Sequence, residues 1–351
     1  MSASADAYVV LGGSGYVGLA LVERLRLEGR APILIVDLVA PSATGIGTFD
    51  PASLPDDHRP QYLKLDLTDP DATQELFAGL RAVWPGRIVV FHVAGLFVKE
   101  SQKRSLVPPG EYRRQNVDAV RTVVAGLNAA GDPALLVLQS TGGLERFRGA
   151  RPPDPYMRSK REAEGLVATE CRVDWVNLRP VRVIGTLGEV LPPRRNGTTS
   201  DLLESLQRAR ADGRIPADIL TDLVLDAEVS DGCLRIVLPG ANSQVAFVHL
   251  HDVVRALCWA ASRRTAPRRT YRVTTPPAVT FFDIGRILVE ELQAVGVPAT
   301  CLAHESLTPI VLSPPLSPEF AWRPSLRGSN EAVRAAVWQY LDVATRAARQ
   351  P

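Results

Sequence analysis

Up to about residue 180 the chain repeats one pattern: a short, continuous apolar run, then a longer segment of helical period. The runs are Tyr8–Leu11, Ile33–Val36, Tyr62–Leu65, Ile88–Phe91, Ala134–Leu138 and Val173–Leu178. Between them, helical periodicity marks 16–27, 71–83, 112–130 and 155–169. A strand buried on one face alternates apolar and polar residues; runs without alternation are buried on both faces, as in a parallel sheet covered by helices. The right-handed crossover rule then makes a doubly wound α/β sheet the expected topology.

Beyond Pro180 the rhythm breaks. Helices are expected near 201–211, 252–262, 282–295 and 330–347, with strand-like runs at 234–238, 245–250 and 271–273. Residues 212–232 read as an irregular acidic stretch, and 309–324 as a proline-rich one. The expected organisation is a nucleotide-binding core over 1–180, to which about 245–275 return, and a smaller substrate-binding lobe made mainly of 181–351.

The first apolar run ends in Gly12-Gly13-Ser14-Gly15-Tyr16-Val17-Gly18. Glycines at 12, 15 and 18 allow a tight turn, close approach of backbone to a pyrophosphate, and packing of helix on strand. The N–H groups of Ser14, Tyr16 and Val17 stand where a helix begins and favour an anion. Such a loop alone is a weak signal. Here it follows a strand and opens a helix, and Asp37 ends the second run nineteen positions after Gly18. An acid about 20 residues on accepts the adenosine ribose hydroxyls. Its charge would repel a 2′-phosphate and no arginine follows it directly, so NAD is favoured over NADP as the cofactor.

Tyr156 and Lys160 stand four apart, on one face of a helix. Only four of the 40 basic residues are lysines, so a lysine at this spacing suggests a need for a compact ammonium. A neighbouring cation favours phenolate, which makes Tyr156 an acid–base group suited to a secondary alcohol or ketone. The bland alternative is a surface Tyr/Lys pair. Ser140 and Thr141 end the run at 134–138, where a hydroxyl can reach a reacting oxygen; serine and threonine also simply form turns there.

These residues together resemble the extended short-chain dehydrogenase/reductase family, among its epimerase and 3β-hydroxysteroid dehydrogenase relatives, over essentially the whole chain. Asp66-Leu67, Val93-Ala94-Gly95 after His92, Asn116-Val117, Leu178-Arg179-Pro180, the run Phe247–Val253 and Trp322-Arg323-Pro324 match further family motifs. The resemblance implies a Rossmann fold and a catalytic set of Ser140, Thr141, Tyr156 and Lys160. It also implies that Asp66 and Leu67 lie at the adenine, Val93, Ala94 and Gly95 behind the cofactor, Lys160 on its ribose, and Pro180 and Val183 beside the nicotinamide. A homodimer through the helices at 112–130 and 155–169 is a further implication.

The branch is expected to be an NAD-dependent oxidoreductase that interconverts a secondary alcohol and ketone, similar to the 3β-hydroxysteroid dehydrogenases. Pro239–Asn242 resembles that branch, and Arg182 replaces the asparagine usual in sugar-nucleotide enzymes. An NDP-sugar epimerase with bound NAD is the alternative, since Arg194 and Arg195 could meet a diphosphate. A regulator that senses NAD without catalysis is a third reading, against which the retained Tyr/Lys pair counts. Gly142 and Gly143, where a dehydratase carries acids, disfavour dehydration.

Other classes find little support. With 40 basic and 38 acidic residues the net charge is +2, which gives no basic excess for nucleic acid. No apolar run approaches the roughly 18 residues that cross a bilayer, and the N-terminus lacks a signal pattern, so a soluble cytoplasmic enzyme is expected. Four cysteines lie far apart, without a metal-binding spacing. His249 and His251 lack a third ligand, so local capping is expected there and no metal.

Overall fold

The computed structural model describes residues 6–41, 45–49, 59–97, 107–147, 154–186, 198–216, 218–238, 244–262, 268–303 and 329–347. The chain divides into two units, one of residues 1–180 and 254–272, the other of 181–253 and 273–351.

The first unit begins β1 (Ala7–Leu11), α1 (Tyr16–Leu27), β2 (Ile33–Asp37), β3 (Gly47–Thr48), β4 (Gln61–Lys64), α2 (Pro70–Val83) and β5 (Ile88–His92). It continues α3 (Pro109–Arg113), a π turn (Arg114–Asp118), α4 (Ala119–Ala130), β6 (Ala134–Gln139), a 3-10 turn (Gly142–Phe147), α5 (Pro155–Glu170) and β7 (Asp174–Pro180). The second unit contributes β8 (Arg182–Ile184), α6 (Thr199–Ala211), α7 (Ile219–Leu225), β9 (Glu228–Ser230), β10 (Cys233–Leu238) and β11 (Gln244–His249). Then α8 (Leu250–Ser262) and β12 (Arg269–Val273) lead the chain through the first unit, before β13 (Thr275–Thr280), α9 (Phe281–Ala294), β14 (Ala299–Ala303) and α10 (Ser329–Ala347).

The doubly wound sheet is present. Eight strands run in the order β12-β7-β6-β5-β1-β2-β4-β3, with the pairs from β7 to β3 all parallel. The order reverses at β1, since β2 and β4 continue to one side and β5 to β7 to the other. That switch point places the carboxyl ends of β1 and β5 side by side, with Leu11 opposite His92. In open α/β sheets ligands bind in the crevice that such a reversal creates. Residues 33–36 and 88–91 are all buried, so the continuous apolar runs are strands covered on both faces. Helix α2 shows how local signals start a helix. The Asp69 carboxylate accepts from the N–H groups of Asp71 and Ala72, Pro70 needs no partner at the first position, and Phe77 then enters the core.

The second unit has two three-stranded sheets, β14-β10-β9 and β13-β11-β8, around a separate core that includes Leu206, Leu234, Phe247, Ile284 and Val337. Here the sequence expectation needs correction. The stretch 212–232 is not irregular: it holds α7, started by a capping box of Asp218 and Thr221, and β9, which turns into β10 through Asp231 and Gly232, both at positive φ. Strands β8, β13 and β14 were also unexpected. Pro276 and Pro277 argue against a strand, yet β13 is an edge strand, where an absent N–H costs no ladder bond. The helix expected at 112–130 starts at Pro109 and is interrupted by the π turn. The proline-rich stretch 309–324, Trp322–Pro324, Pro239–Asn242 and Arg194–Arg195 lie outside the described residues.

Candidate functional site

The glycine loop crosses from β1 to α1 at the switch point. Gly12 adopts φ +82°, its N–H donates to the Val36 carbonyl, and an added Cβ would lie 2.5 Å from the backbone of Ala94. A Cβ on Gly18 would lie 2.1 Å from the Gly12 oxygen. Both glycines are thus required by the fold itself. Gly15 differs: it is exposed, and the nearest atom to an added Cβ is 3.4 Å away. It is also the N-cap of α1, in extended conformation and without a side-chain cap. Packing within the chain does not explain its glycine, whereas backbone held close to a phosphate at a helix N-terminus does. Tyr16 is half-exposed and Val17 partly buried in the first turn.

Asp37 stands beside this loop at the end of β2. Its carboxylate accepts from the Ser14 N–H at 3.0 Å and the Leu38 N–H at 2.7 Å, and the Ser14 hydroxyl donates to the Val39 carbonyl at 2.6 Å. The Val39 N–H also donates to the oxygen that accepts from Leu38, so the oxygen facing Ser14 is the one with a lone pair left for a further donor. Asp66, after β4, is held below the usual carboxylate range by the Thr68 N–H and hydroxyl, with Arg114 adding to the effect. Leu67 is buried, and its carbonyl accepts from the Thr122 hydroxyl.

After β5 the N–H groups of Val93 and Ala94 both donate to the Leu11 carbonyl. Gly95 follows at φ +154°; an added Cβ there would lie 2.8 Å from the Asn116 oxygen and 3.0 Å from the Lys160 ammonium. Asn116 sits in the π turn, a break in helical hydrogen bonding found often at functional sites. Its side chain binds the backbone of Leu96 through both amide groups and donates to the Ser159 hydroxyl at 2.9 Å. It therefore fixes both the loop after β5 and helix α5.

Helix α5 starts at the Asp154 cap and turns Tyr156, Ser159, Lys160, Ala163 and Glu164 inward. Tyr156 is 8% exposed, with its ring edge-on to Phe97 at 5.0 Å and to Tyr112 at 6.2 Å between centroids. Lys160 reaches the Gln139 carbonyl at 3.4 Å. Burial pushes its ammonium down to about 8, opposed by the negative charge of Glu164. His92, buried at the end of β5, is driven down to about 3 by burial and by Lys160, so it is neutral and no base at neutral pH. At the end of β6, Ser140 donates its N–H to the Leu178 carbonyl, while its buried hydroxyl and the Gln139 side-chain oxygen have no partner among the described residues. The Thr141 hydroxyl accepts from the Gly143 N–H at 3.2 Å.

The first unit thus brings together Gly12 to Gly18, Asp37, Val93 to Gly95, Ser140, Thr141, Tyr156 and Lys160 along the carboxyl edge of one sheet. Pro180 is the last residue of that unit, and Val183 belongs to the other. The aromatic neighbours Phe97 and Tyr112 escaped the sequence reading, which named Arg179 within the Leu178-Arg179-Pro180 motif but not as the bidentate partner of Glu164. Glu164 alone had a signal, its position four residues after Lys160. The two histidines behave as a local cap, since the His251 N–H donates to the His249 ring, and no metal-binding group of histidine, cysteine and carboxylates occurs among the described residues. No described helix is long and apolar enough to cross a membrane.

No curated protein matches the sequence. Solved structures do share the fold. WbmF of Bordetella bronchiseptica, in complex with NAD+ and UDP, has a TM-score of 0.62 at 20% identity, over 99% of this chain and 96% of that one. MoeE5, in complex with UDP-glucuronic acid and NAD, has 0.61 at 21%, over 95% and 98%. The UDP-N-acetylglucosamine 4-epimerase of Methanobrevibacter ruminantium M1, in complex with UDP-N-acetylmuramic acid, has 0.61 at 16%, over 96% and 98%. The model of the NAD dependent epimerase/dehydratase family matches residues 8–273, which include the glycine loop, the switch-point crevice and the Tyr/Lys helix; the chain belongs to that family.

Proposed function

We propose that the protein is an NDP-sugar epimerase that holds NAD and works through oxidation of a secondary carbinol, with Tyr156 as the acid–base group. The observation that carries this reading is the inward row of Tyr156 and Lys160 on α5, facing a strand end whose Ser140 hydroxyl lacks a protein partner among the described residues. Buried polar groups are rarely left without a partner, and an exception at a ligand crevice calls for one.

The residues fit the dinucleotide. Gly15 leaves the approach to the helix N-terminus open, with the N–H groups of Tyr16 and Val17 beside it, and Asp37 retains acceptor capacity for a ribose on the oxygen facing Ser14. Asp66 and Leu67 are assigned to the adenine, Val93, Ala94 and Gly95 to the back of the crevice, and Pro180, the last residue of the same unit before residue 254, to the nicotinamide end. When bound, NAD supplies the two-electron acceptor for the carbinol carbon. Tyr156 takes the proton of the substrate hydroxyl and returns it to the carbonyl oxygen. Lys160 donates to the ribose and stabilises the phenolate, since a nearby cation favours the charged form of a phenol. Thr141 and Ser140 orient the reacting oxygen. The complexes of MoeE5, WbmF and the M. ruminantium epimerase with UDP or its sugars support a nucleotide-sugar substrate.

A net alcohol dehydrogenase of the 3β-hydroxysteroid type is the second reading. It is favoured by the Phe97 ring, which is 53% exposed although it packs on Tyr156, and so offers an apolar surface beside the reactive phenol. Incubation with NAD and either UDP-sugars or apolar secondary alcohols separates the two: a new sugar epimer by NMR without net NADH supports the epimerase, and stoichiometric NADH with an apolar alcohol the dehydrogenase. Tyr156→Phe is expected to lower turnover by about 10²–10⁴-fold with cofactor binding retained. Turnover at the wild-type rate would refute the role given to Tyr156 in both readings, and NAD binding without turnover of any substrate by the wild type would leave the NAD-sensing regulator. The homodimer through α4 and α5 implied by the family is tested by light scattering.

A further inference from the structure

Helix α5 carries a third inward polar residue beyond its reactive pair. Tyr156, Lys160 and Glu164 stand at intervals of four, which places them in one row along the helix. Glu164 is 8% exposed and takes a bidentate pair of hydrogen bonds from Arg179, at 2.8 Å from Nε and 2.5 Å from the second nitrogen. Arg179 is the penultimate residue of β7. The neighbouring strand closes a circuit. Leu178 accepts from the Ser140 N–H at 2.7 Å, and the Gln139 carbonyl, one residue before Ser140, accepts from Lys160. The helix is thus tied to β6 through Lys160 and to β7 through Glu164, one turn apart, while β6 and β7 are tied to each other between.

We propose that Glu164 and Arg179 are positioning residues for the reaction: their part-buried ion pair holds the Tyr156–Lys160 row against the carboxyl ends of β6 and β7 and sets the electrostatic environment of the Lys160 ammonium. The assignment rests on the roles given above to Tyr156 and Lys160. Four groups with charge or protons to exchange surround that ammonium. His92 at the end of β5 is neutral, Tyr156 and Glu164 share its helix, and Arg179 from β7 acts through Glu164. Asn116 and Gly95, also close, carry no charge. The two members of the pair therefore push Lys160 in opposite directions. Glu164 supports its charge, and Arg179, by neutralising Glu164, limits that support.

The chain has four lysines, so selective 13C labelling of lysine side chains gives a spectrum simple enough to follow Lys160 alone, assigned by its loss in Lys160→Met. Its titration midpoint, near 8 in the wild type, is expected to fall by about one pH unit in Glu164→Gln and to rise by a similar amount in Arg179→Gln. Shifts in the same direction, or no shift, overturn the assignment, because loosening of the helix would move both variants alike. Should either variant fail to fold, Glu164→Asp and Arg179→Lys keep both charges but spoil the bidentate geometry. They are expected to leave the midpoint in place and lower kcat with the KM for NAD unchanged; a wild-type kcat in both overturns the positioning role. The titration needs no substrate, so it stands or falls separately from the chemistry of Tyr156, which Tyr156→Phe reads.

Discussion

Two buried polar clusters, one in each unit, are built from similar groups and differ in how fully they are satisfied. In the second unit the Asp218 carboxylate accepts from the N–H groups of Leu220 and Thr221 and from the Tyr340 hydroxyl, which itself accepts from the Gly185 N–H at 2.6 Å. Gln339 next to it accepts from the Thr186 N–H, donates to the Thr186 carbonyl and meets the His249 ring. In the first unit, at the ends of β6 and β7, the Ser140 hydroxyl and the Gln139 amide oxygen are equally buried and have no partner among the described residues. A saturated network stabilises and specifies a fold, while unsatisfied groups at the carboxyl edge of a parallel sheet are open to a ligand.

The glycine loop carries the same contrast, and with the largest expected effect on stability. In Gly18→Ala the new methyl would meet backbone at 2.1 Å, which nothing can relieve cheaply, so a loss of about 3 kcal/mol is expected in chemical denaturation. Gly15→Ala meets nothing closer than 3.4 Å and should lose only the N-cap preference of glycine over alanine, about 1 kcal/mol, while weakening NAD in a binding titration. Equal losses of stability in both would erase the distinction.

Next in size is the saturated cluster. Tyr340→Phe removes a hydrogen bond to a buried carboxylate and one to a buried N–H, and about 1–3 kcal/mol of stability should go with them, with NAD affinity unchanged. Its counterpart, Ser140→Ala, deletes a hydroxyl that has no partner among the described residues. Unfolding should barely register it, within about 0.5 kcal/mol, while kcat falls. A Ser140→Ala variant that loses stability like Tyr340→Phe would show the Ser140 hydroxyl to be structural.

The last effect is electrostatic and is absent at neutral pH. His92 binds a proton in the folded state only near pH 3, against about 6.5 when unfolded, so between those values the unfolded chain holds more protons. Stability is complete above 6.5 and declines as pH falls towards 3. His92→Gln should flatten that part of a stability profile measured by denaturant at successive pH values; a slope that persists assigns it to other groups.

Some of this was written along the chain. Runs such as Ile88–Phe91 cannot be half-exposed strands, and glycines at a strand–helix turn with an acid nineteen residues on are read from local spacing. Helix period likewise placed Tyr156 and Lys160 on one face. Other features had a signal of uncertain weight: Asp231-Gly232 is a hairpin turn, yet without knowledge of its partner strand it looks like any polar loop. The prolines of β13 concealed a strand that is permitted only because it lies at an edge.

What the sequence alone determined is what one segment decides by itself: which stretches are buried on both faces, where a helix starts, and which residues share its face. The tertiary structure decided what depends on residues distant in the chain. It set Gly95 against Asn116 and Lys160, gave Glu164 its partner on β7, and left Ser140 without one among the described residues while Asp218 acquired Tyr340 from 122 positions away. Period and propensity act over a turn or two of backbone, whereas hydrogen-bond satisfaction is fixed only when the sheet and its covering helices have closed, and that is where structure and chemistry part.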